Sequence, residues 1–143
     1  MLVKQISVFL ENKSGRLAEV TRILGNNNID ISALSIADTT DFGILRLIVN
    51  DPETAEKVLK DNGFTVSCCD VIAISVPDKP GGLAKVLSVL EPESIGIEYL
   101  YAFVGKAENE ALVILRIDSP EKAVELLEKA GVKVLDSKTV YKL

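Results

Sequence analysis

The sequence contains no histidine and no tryptophan, one methionine and two cysteines. Histidine is the commonest general acid or base near neutral pH and a frequent zinc ligand, so its absence excludes histidine-dependent nucleophiles and most zinc sites. The two cysteines are neighbours, Cys68 and Cys69. Adjacent strand residues point to opposite faces, which makes them a poor pair for one metal ion or an unstrained disulfide. We expect both to be small apolar strand residues.

Basic residues are in the minority, and long apolar runs are missing. The 16 Lys and Arg residues against 21 Asp and Glu residues give a formal net charge of -5, which disfavours bulk attraction to nucleic acid or anionic lipid. No apolar run reaches the roughly 18 residues of a membrane span. The first residues also lack the basic and apolar segments of a signal peptide. We therefore expect a cytoplasmic protein that binds neither nucleic acid nor membranes.

The sequence instead repeats itself. Residues 12–20, Asn-Lys-Ser-Gly-Arg-Leu-Ala-Glu-Val, match residues 78–86, Asp-Lys-Pro-Gly-Gly-Leu-Ala-Lys-Val, at a shift of 66 positions. Beyond a two-residue insertion, a shift of 68 aligns residues 63–66 with residues 131–134. An ordered series of matches is hard to obtain by chance, and it predicts two copies of one unit. We place the first domain at residues 1–70 and the second at 71–143.

Each unit has the periodicity of a β-α-β-β-α-β series. In the first unit, apolar residues alternate from Val3 to Leu10 as in a strand and then recur at helical spacing from Gly15 to about Gly25. Two β-branched runs predict a hairpin, and Asp51-Pro52-Glu53 has the composition of a helix start. The second unit predicts, in order, strand 72–76, helix 82–90, strands 97–104 and 111–117, helix 120–130 and strand 132–141. The expected fold is α+β: two ferredoxin-like βαββαβ units, antiparallel sheets with helices on one face.

No linker separates the two units. Residues 64–76 align with both the end of the first unit and the start of the second, and they contain no Gly/Ser-rich spacer. We therefore expect one long strand that serves both units and couples them rigidly.

The predicted sheets are apolar on both faces. In the second unit Leu112 and Ile114 alternate with the residues that face the helices, so they lie on the other face. Burying that face favours association by about 25 cal/mol per Å² of apolar area. This predicts a homodimer or higher homo-oligomer, with a single chain folding back on itself as the alternative.

A glycine stands between the first strand and first helix of each unit. Gly15 and Gly81 can adopt a positive φ and allow a ligand to approach the backbone closely. The helix that follows offers unpaired N–H groups and the positive end of its dipole, which suit a carboxylate. Asn12 and Asp78 precede the glycines, and Asp78 could accept a ligand ammonium group. Such loops could bind an amino acid, or they could simply form turns.

The loop-helix signature at residues 78–86, followed by residues 95–100, resembles the ACT domain, and both units carry it. ACT domains are βαββαβ regulatory modules that bind amino acids, so the resemblance implies a tandem ACT-domain protein that acts as a non-catalytic sensor. It places the ligand between adjacent units, where one contributes the loop and the other the start of its second strand. The implied ligand-binding residues are Asn12, Lys13, Ser14, Gly15, Arg16, Leu17, Asp30, Ile31 and Ser32 in the first unit, and Asp78, Lys79, Pro80, Gly81, Gly82, Leu83, Gly96, Ile97 and Glu98 in the second.

Differences between the two loops leave the number of sites open. Arg16 aligns with Gly82, and Asp30 aligns with Gly96, so one unit could bind a ligand while the other serves structure. We expect no catalytic residue, no metal and no cofactor. The expected partners are a small amino acid, further copies of the chain and an unidentified regulated protein. The alternatives are a scaffold without ligand, a small ferredoxin-like enzyme such as an acylphosphatase, and a thiol-based metal carrier. The sequence does not identify the amino acid.

Overall fold

The computed structural model describes residues 2–11, 15–38, 42–103 and 109–143. The chain divides into two compact units. The first unit comprises Lys4–Cys69 and Tyr141–Leu143, and the second comprises Asp70–Val140 and Met1–Val3. Each terminus therefore contributes three residues to the unit formed by the opposite half of the sequence.

The first unit contains one complete βαββαβ series. Its elements are β1 (Val3–Glu11), α1 (Arg16–Asn26), β2 (Ile31–Asp38), β3 (Phe42–Val49), α2 (Pro52–Asp61) and the beginning of β4 (Thr65–Pro77). The strands lie in the order β2-β3-β1-β4. Ile6, Val8 and Leu10 face a core that also contains Val20 and Leu24 of α1. The alternation in β1 and the helical spacing in α1 thus bury the residues that the sequence pattern predicts.

The second unit repeats the series. It continues β4 and adds α3 (Gly82–Leu90), a 3₁₀ turn (Glu91–Glu93), β5 (Ile97–Ala102), β6 (Glu110–Ile117), α4 (Pro120–Lys129), β7 (Lys133–Leu135) and α5 (Ser137–Tyr141). The strand order β7-β4-β6-β5 is equivalent to that of the first unit. The ferredoxin-like α+β fold is confirmed in both units. The predicted long strand is also present, because β4 runs unbroken over 13 residues; rigid coupling of the units stays a prediction.

The second helix of each unit starts and ends as the sequence predicts. The Asp51 carboxylate accepts a hydrogen bond from the Thr54 N–H at 3.2 Å, and Pro52 is the first residue of α2. Gly63 and Gly131 follow α2 and α4 with φ values of 86° and 81°. These are left-handed conformations that glycine adopts without steric cost.

The end of the chain differs from the prediction. The expected strand 132–141 is wrong beyond Leu135, where β7 ends and α5 begins. The Asp136 carboxylate accepts a hydrogen bond from the Thr139 N–H at 2.7 Å. Hydrogen bonds from the Thr139 side chain and main chain lower the pKa of Asp136. Val140 is fully buried. A capping carboxylate and one buried apolar residue therefore favour a helical turn over a longer strand.

Some residues on the second face of each sheet are buried within the single chain. Ile48 and Ile114 are fully buried and Leu112 is 9% exposed, which weakens the argument from these residues for a second chain. Phe9 and Phe42 remain about half exposed, at 47% and 54%. They lie on the face of the first sheet opposite the helices, on either side of Ile44 in the pairing of β1 with β3.

Candidate functional site

The loop between β4 and α3 is an exposed, hydrogen-bonded turn. The Asp78 N–H donates to the Asn109 carbonyl oxygen at 3.0 Å, which ties the loop to the residue before β6. Within the loop, the Gly82 N–H donates to the Lys79 carbonyl oxygen at 3.0 Å. Asp78, Lys79, Pro80 and Gly81 are all exposed. The main chain thus fixes the loop while its side chains face solvent.

Both loop glycines have the predicted positive φ. Gly15 has a φ of 86° and Gly81 a φ of 84°, and each stands immediately before a helix. Within the described part of the chain, no side chain caps either α1 or α3. The first N–H groups of a helix have no carbonyl partner inside it, and they lie at the positive end of the dipole. Each helix start can therefore accept an anionic group.

Gly82 is required by the backbone. A Cβ atom on Gly82 would overlap the Pro77 carbonyl oxygen. The start of α3 thus approaches the end of β4 too closely for a Cβ atom at this position.

A cavity of about 510 Å³ opens beside this helix start. It is lined by Pro77 at the end of β4, by residues of α3 from Gly82 to Val89, by residues 109–110 and by the segment Ala130–Lys133. Its volume lies within the range of roughly 300–1,000 Å³ typical of small-molecule sites. Its lining is mainly apolar, with charges from Lys85, Glu110 and Lys133. Such a cavity suits a small zwitterion with an apolar side chain.

The first unit has a smaller cavity at the equivalent place. Its volume is about 170 Å³, and it is lined by Phe9, Leu10, Glu11, Arg16, Phe42 and residues 63–65. The repeat aligns Arg16 with Gly82, and the strand pairings Glu11–Phe42 and Pro77–Glu110 are equivalent. Arg16 accounts for part of the difference in volume, because its side chain extends over the Phe64 ring.

The predicted strand residues of the first unit have partners of their own. The Asp30 N–H donates to the Asn50 side-chain oxygen at 3.0 Å, and the Ser32 hydroxyl donates to the Leu143 carbonyl oxygen at 3.4 Å. Ile31 packs against the core of the first unit. These residues thus have structural roles in the first unit.

The corresponding residues of the second unit are also engaged. Glu98 forms an ion pair with Arg116 at 3.4 Å, and Ile97 packs against the core of the second unit. Gly96 lies close to Asp118, whose carboxylate would be 3.5 Å from an added Cβ.

The loop and the second strand of one unit lie at opposite ends of its sheet. Pro77 pairs with Glu110 at one end of β6, whereas Ile97 pairs with Ile117 at the other. The eight residues of β6, which are separated by seven steps, span about 23 Å at 3.3 Å per step. A single unit therefore does not bring its own predicted loop residues and strand residues together.

The remaining predicted residues occupy varied positions. Asn12, Lys13 and Ser14 lie outside the described residues. Leu17 is 39% exposed on α1, and Leu83 is half-buried on α3. Sequence reasoning missed the contribution of residues 109–110 and 130–133 to the cavity. The sequence signal for the second of these segments is the glycine repeated after each second helix, Gly63 and Gly131, because the chain turns there and passes beside the loop.

No catalytic group emerges among the described residues. They contain no cluster of metal-ligating side chains. The Cys68 thiol donates a hydrogen bond to a Glu56 carboxylate oxygen at 2.6 Å. Burial and this carboxylate raise the pKa of Cys68 to about 12, so the thiol is protonated at neutral pH and a poor nucleophile. No described helix is long and apolar enough to cross a membrane.

Comparison with known proteins identifies relatives of the whole chain. A sequence profile described as the ACT domain pair matches residues 1–143. No functionally curated protein matches the chain. The solved structure of a protein from Bacteroides thetaiotaomicron is 50% identical in sequence, with a TM-score of 0.94, and the alignment covers 100% of this chain and 98% of that one.

More distant solved structures share the fold. The regulatory subunit of aspartate kinase from Thermus thermophilus, in a ligand-free form, is 17% identical with a TM-score of 0.68, covering 90% of this chain and 93% of that chain. The corresponding subunit from Thermus flavus is also 17% identical, with a TM-score of 0.61 and coverages of 90% and 92%.

Proposed function

Because this chain belongs to the ACT domain family, as an ACT domain pair over residues 1–143, we propose that it is a non-catalytic regulatory protein that binds a small amino acid. The observation that carries the proposal is the open cavity of about 510 Å³ beside the start of α3. The family supports a regulatory role, and the cavity supports a small ligand.

Amino-acid recognition needs a separate partner for each end of the zwitterion. The uncapped start of α3 after Gly81 offers N–H donors and a positive dipole end to the α-carboxylate. Glu110 offers a carboxylate to the α-ammonium group, and Val86, Val89 and Val132 offer apolar contacts to a side chain. This distribution of charge favours an aliphatic amino acid over a strongly charged one.

The site predicted from the resemblance also includes the start of a second strand. Since Gly96, Ile97 and Glu98 lie at the far end of their own sheet from the loop, their participation would require a strand from another unit, in the same chain or a second one. We retain this arrangement as part of the proposal. Its test is whether substitutions at Glu98 alter the affinity for the amino acid.

Regulation requires that ligand binding changes an assembly or a partner. We propose that the protein acts in the cytoplasm as a homo-oligomer, supported by the half-exposed Phe9 and Phe42 on one sheet face. The described residues present no catalytic constellation, so the response passes to a regulated protein through differential affinity.

The test is a thermal-shift screen of the full chain against each of the twenty amino acids. A ligand that binds only the folded state raises the melting temperature as its concentration exceeds its Kd. We expect one amino acid, or a few related ones, to raise Tm. A flat response to all twenty would contradict the proposal and favour a scaffold role.

Gly81→Val provides the site-specific arm of this screen, and Gly15→Val provides its matched control. Both positions have a left-handed φ, so valine strains both helix starts to a similar degree. We expect Gly81→Val to remove the ligand-dependent rise in Tm and Gly15→Val to retain it. If both variants retained the ligand-dependent rise in Tm, the ligand would bind elsewhere.

A further inference from the structure

The two equivalent cavities differ in the residues that line them. In the first unit the Arg16 side chain lines the cavity, with its guanidinium carbon 5.4 Å from the centroid of the Phe64 ring. Its Nη1 atom lies 3.1 Å from Glu19 Oε2, and its Nη2 atom lies 4.0 Å from Glu11 Oε2. We propose that this cavity is a guanidinium site that Arg16 fills from within the chain, so that ligand binds only in the second unit.

The groups around Arg16 form a coherent cation site. Glu11 and Glu19 supply negative charge, and the Phe64 ring supplies a face on which a planar cation can stack. The Arg16 side chain is 34% exposed, so the guanidinium is partly removed from water. Arg16 therefore contacts one residue of β1, one residue of its own helix and the residue that precedes β4.

The second unit has replaced every part of this arrangement. The repeat aligns Arg16 with Gly82, Glu11 with Pro77, Glu19 with Lys85 and Phe64 with Val132. The second unit therefore lacks the arginine, has a proline and a lysine in place of the two glutamates, and has a valine in place of the phenylalanine. The second cavity has two lysines and one glutamate in its lining and is about three times as large as its counterpart, whose lining has one glutamate and Arg16.

A stoichiometry follows from this asymmetry and rests on the proposed function. A chain whose first cavity is already filled should take one amino acid, although it contains two ACT units. The first unit also has a different ligand preference. Without the Arg16 side chain, its cavity would favour a cation and not a zwitterion with an apolar side chain.

The decisive experiment vacates the first cavity and offers a substitute occupant. The variant is Arg16→Gly, which introduces the residue of the second unit, and the probe is methylguanidinium at millimolar concentration. Arg22→Gly is the matched control, because Arg22 lies on the same helix and is exposed. If Arg16→Gly does not fold, Arg16→Ala takes its place, because alanine is a good helix former.

We expect methylguanidinium to raise the Tm of the Arg16 variants by roughly 3 °C near saturation, and to leave the wild-type protein and Arg22→Gly unchanged. An equal response of the Arg16 and Arg22 variants would overturn the proposal. This arm needs no native ligand, so it decides the inference even if no amino acid shifts Tm.

Calorimetric titration with the amino acid identified in the screen supplies the second arm. One site per wild-type chain supports the inference, whereas two sites per chain would overturn it. Failure of the proposed function would appear separately, as the absence of any amino-acid binding.

Discussion

At the residue scale, the glycines show how far the sequence alone can be interpreted. The positive φ of Gly15 and Gly81 follows from their position between a strand and a helix, and the structure has it. The reason for Gly82 did not follow, because the overlap of an added Cβ atom with the Pro77 carbonyl oxygen depends on the exact path of the intervening turn. The position of Arg16 over the Phe64 ring also required the fold, because the two residues are far apart in sequence.

A substitution at Gly82 tests this backbone contact. Gly82→Ala places a Cβ atom against the Pro77 carbonyl oxygen, and the main chain must move to relieve the overlap. We expect a loss of about 2–4 kcal/mol in the free energy of unfolding, within the range for overpacked or strained sites. Chemical denaturation measures the change.

Gly25→Ala is the control for the same substitution in a helix. A Cβ atom on Gly25 meets nothing within 4 Å, and Gly25 lies in α1. We expect it to stabilise the protein by about 0.5–1 kcal/mol, because alanine loses less backbone entropy than glycine. Similar destabilisation by both variants would contradict a specific role for the Gly82 contact.

At the element scale, the strands and the four long helices were predictable because their signals are local and repeated. Apolar alternation defines β1, and the Asp51-Pro52 start defines α2. The prediction for the final element was wrong because two local signals compete in that segment. The β-branched residues of the last segment favour a strand, whereas the Asp136 cap favours a helical turn. The burial of Val140 decides between them, and burial depends on the tertiary fold.

The Asp136 cap makes α5 sensitive to one substitution and to acid. Asp136→Ala removes the acceptor for the Thr139 N–H, so we expect faster amide hydrogen exchange at Thr139 with little change elsewhere. Because hydrogen bonds from the Thr139 side chain and main chain lower the pKa of Asp136 below its ordinary 3.8, the cap's contribution is present above pH 3.8 and is lost as pH falls through the lowered pKa. Asp136→Asn keeps an acceptor and should retain most of the protection. Unchanged exchange in the alanine variant would show that Val140 alone holds α5.

At the scale of the whole molecule, the duplication predicts the architecture but does not predict that the two units have cavities of different size. The repeat gives two equivalent strand orders, and both are present. The unequal cavities depend on side chains that are far apart in sequence, such as Arg16 with Phe64 and Gly82 with Gly131. Of the predicted loop residues of the second unit, Gly82 lines the cavity, whereas the contribution of residues 109–110 and 130–133 required the fold. The duplicated module thus carries cavities of unequal size at equivalent places, about 170 Å³ in the first unit and about 510 Å³ in the second.

The most direct test of this account is an amide NMR titration of the full chain with the amino acid that raises Tm most. The account predicts that the largest saturable shifts fall on Gly81, Gly82 and Gly131 around the open cavity, while Gly15 and Gly63 change little. Shifts concentrated on Gly15 and Gly63, or of equal size in both units, would contradict a single ligand site in the second unit.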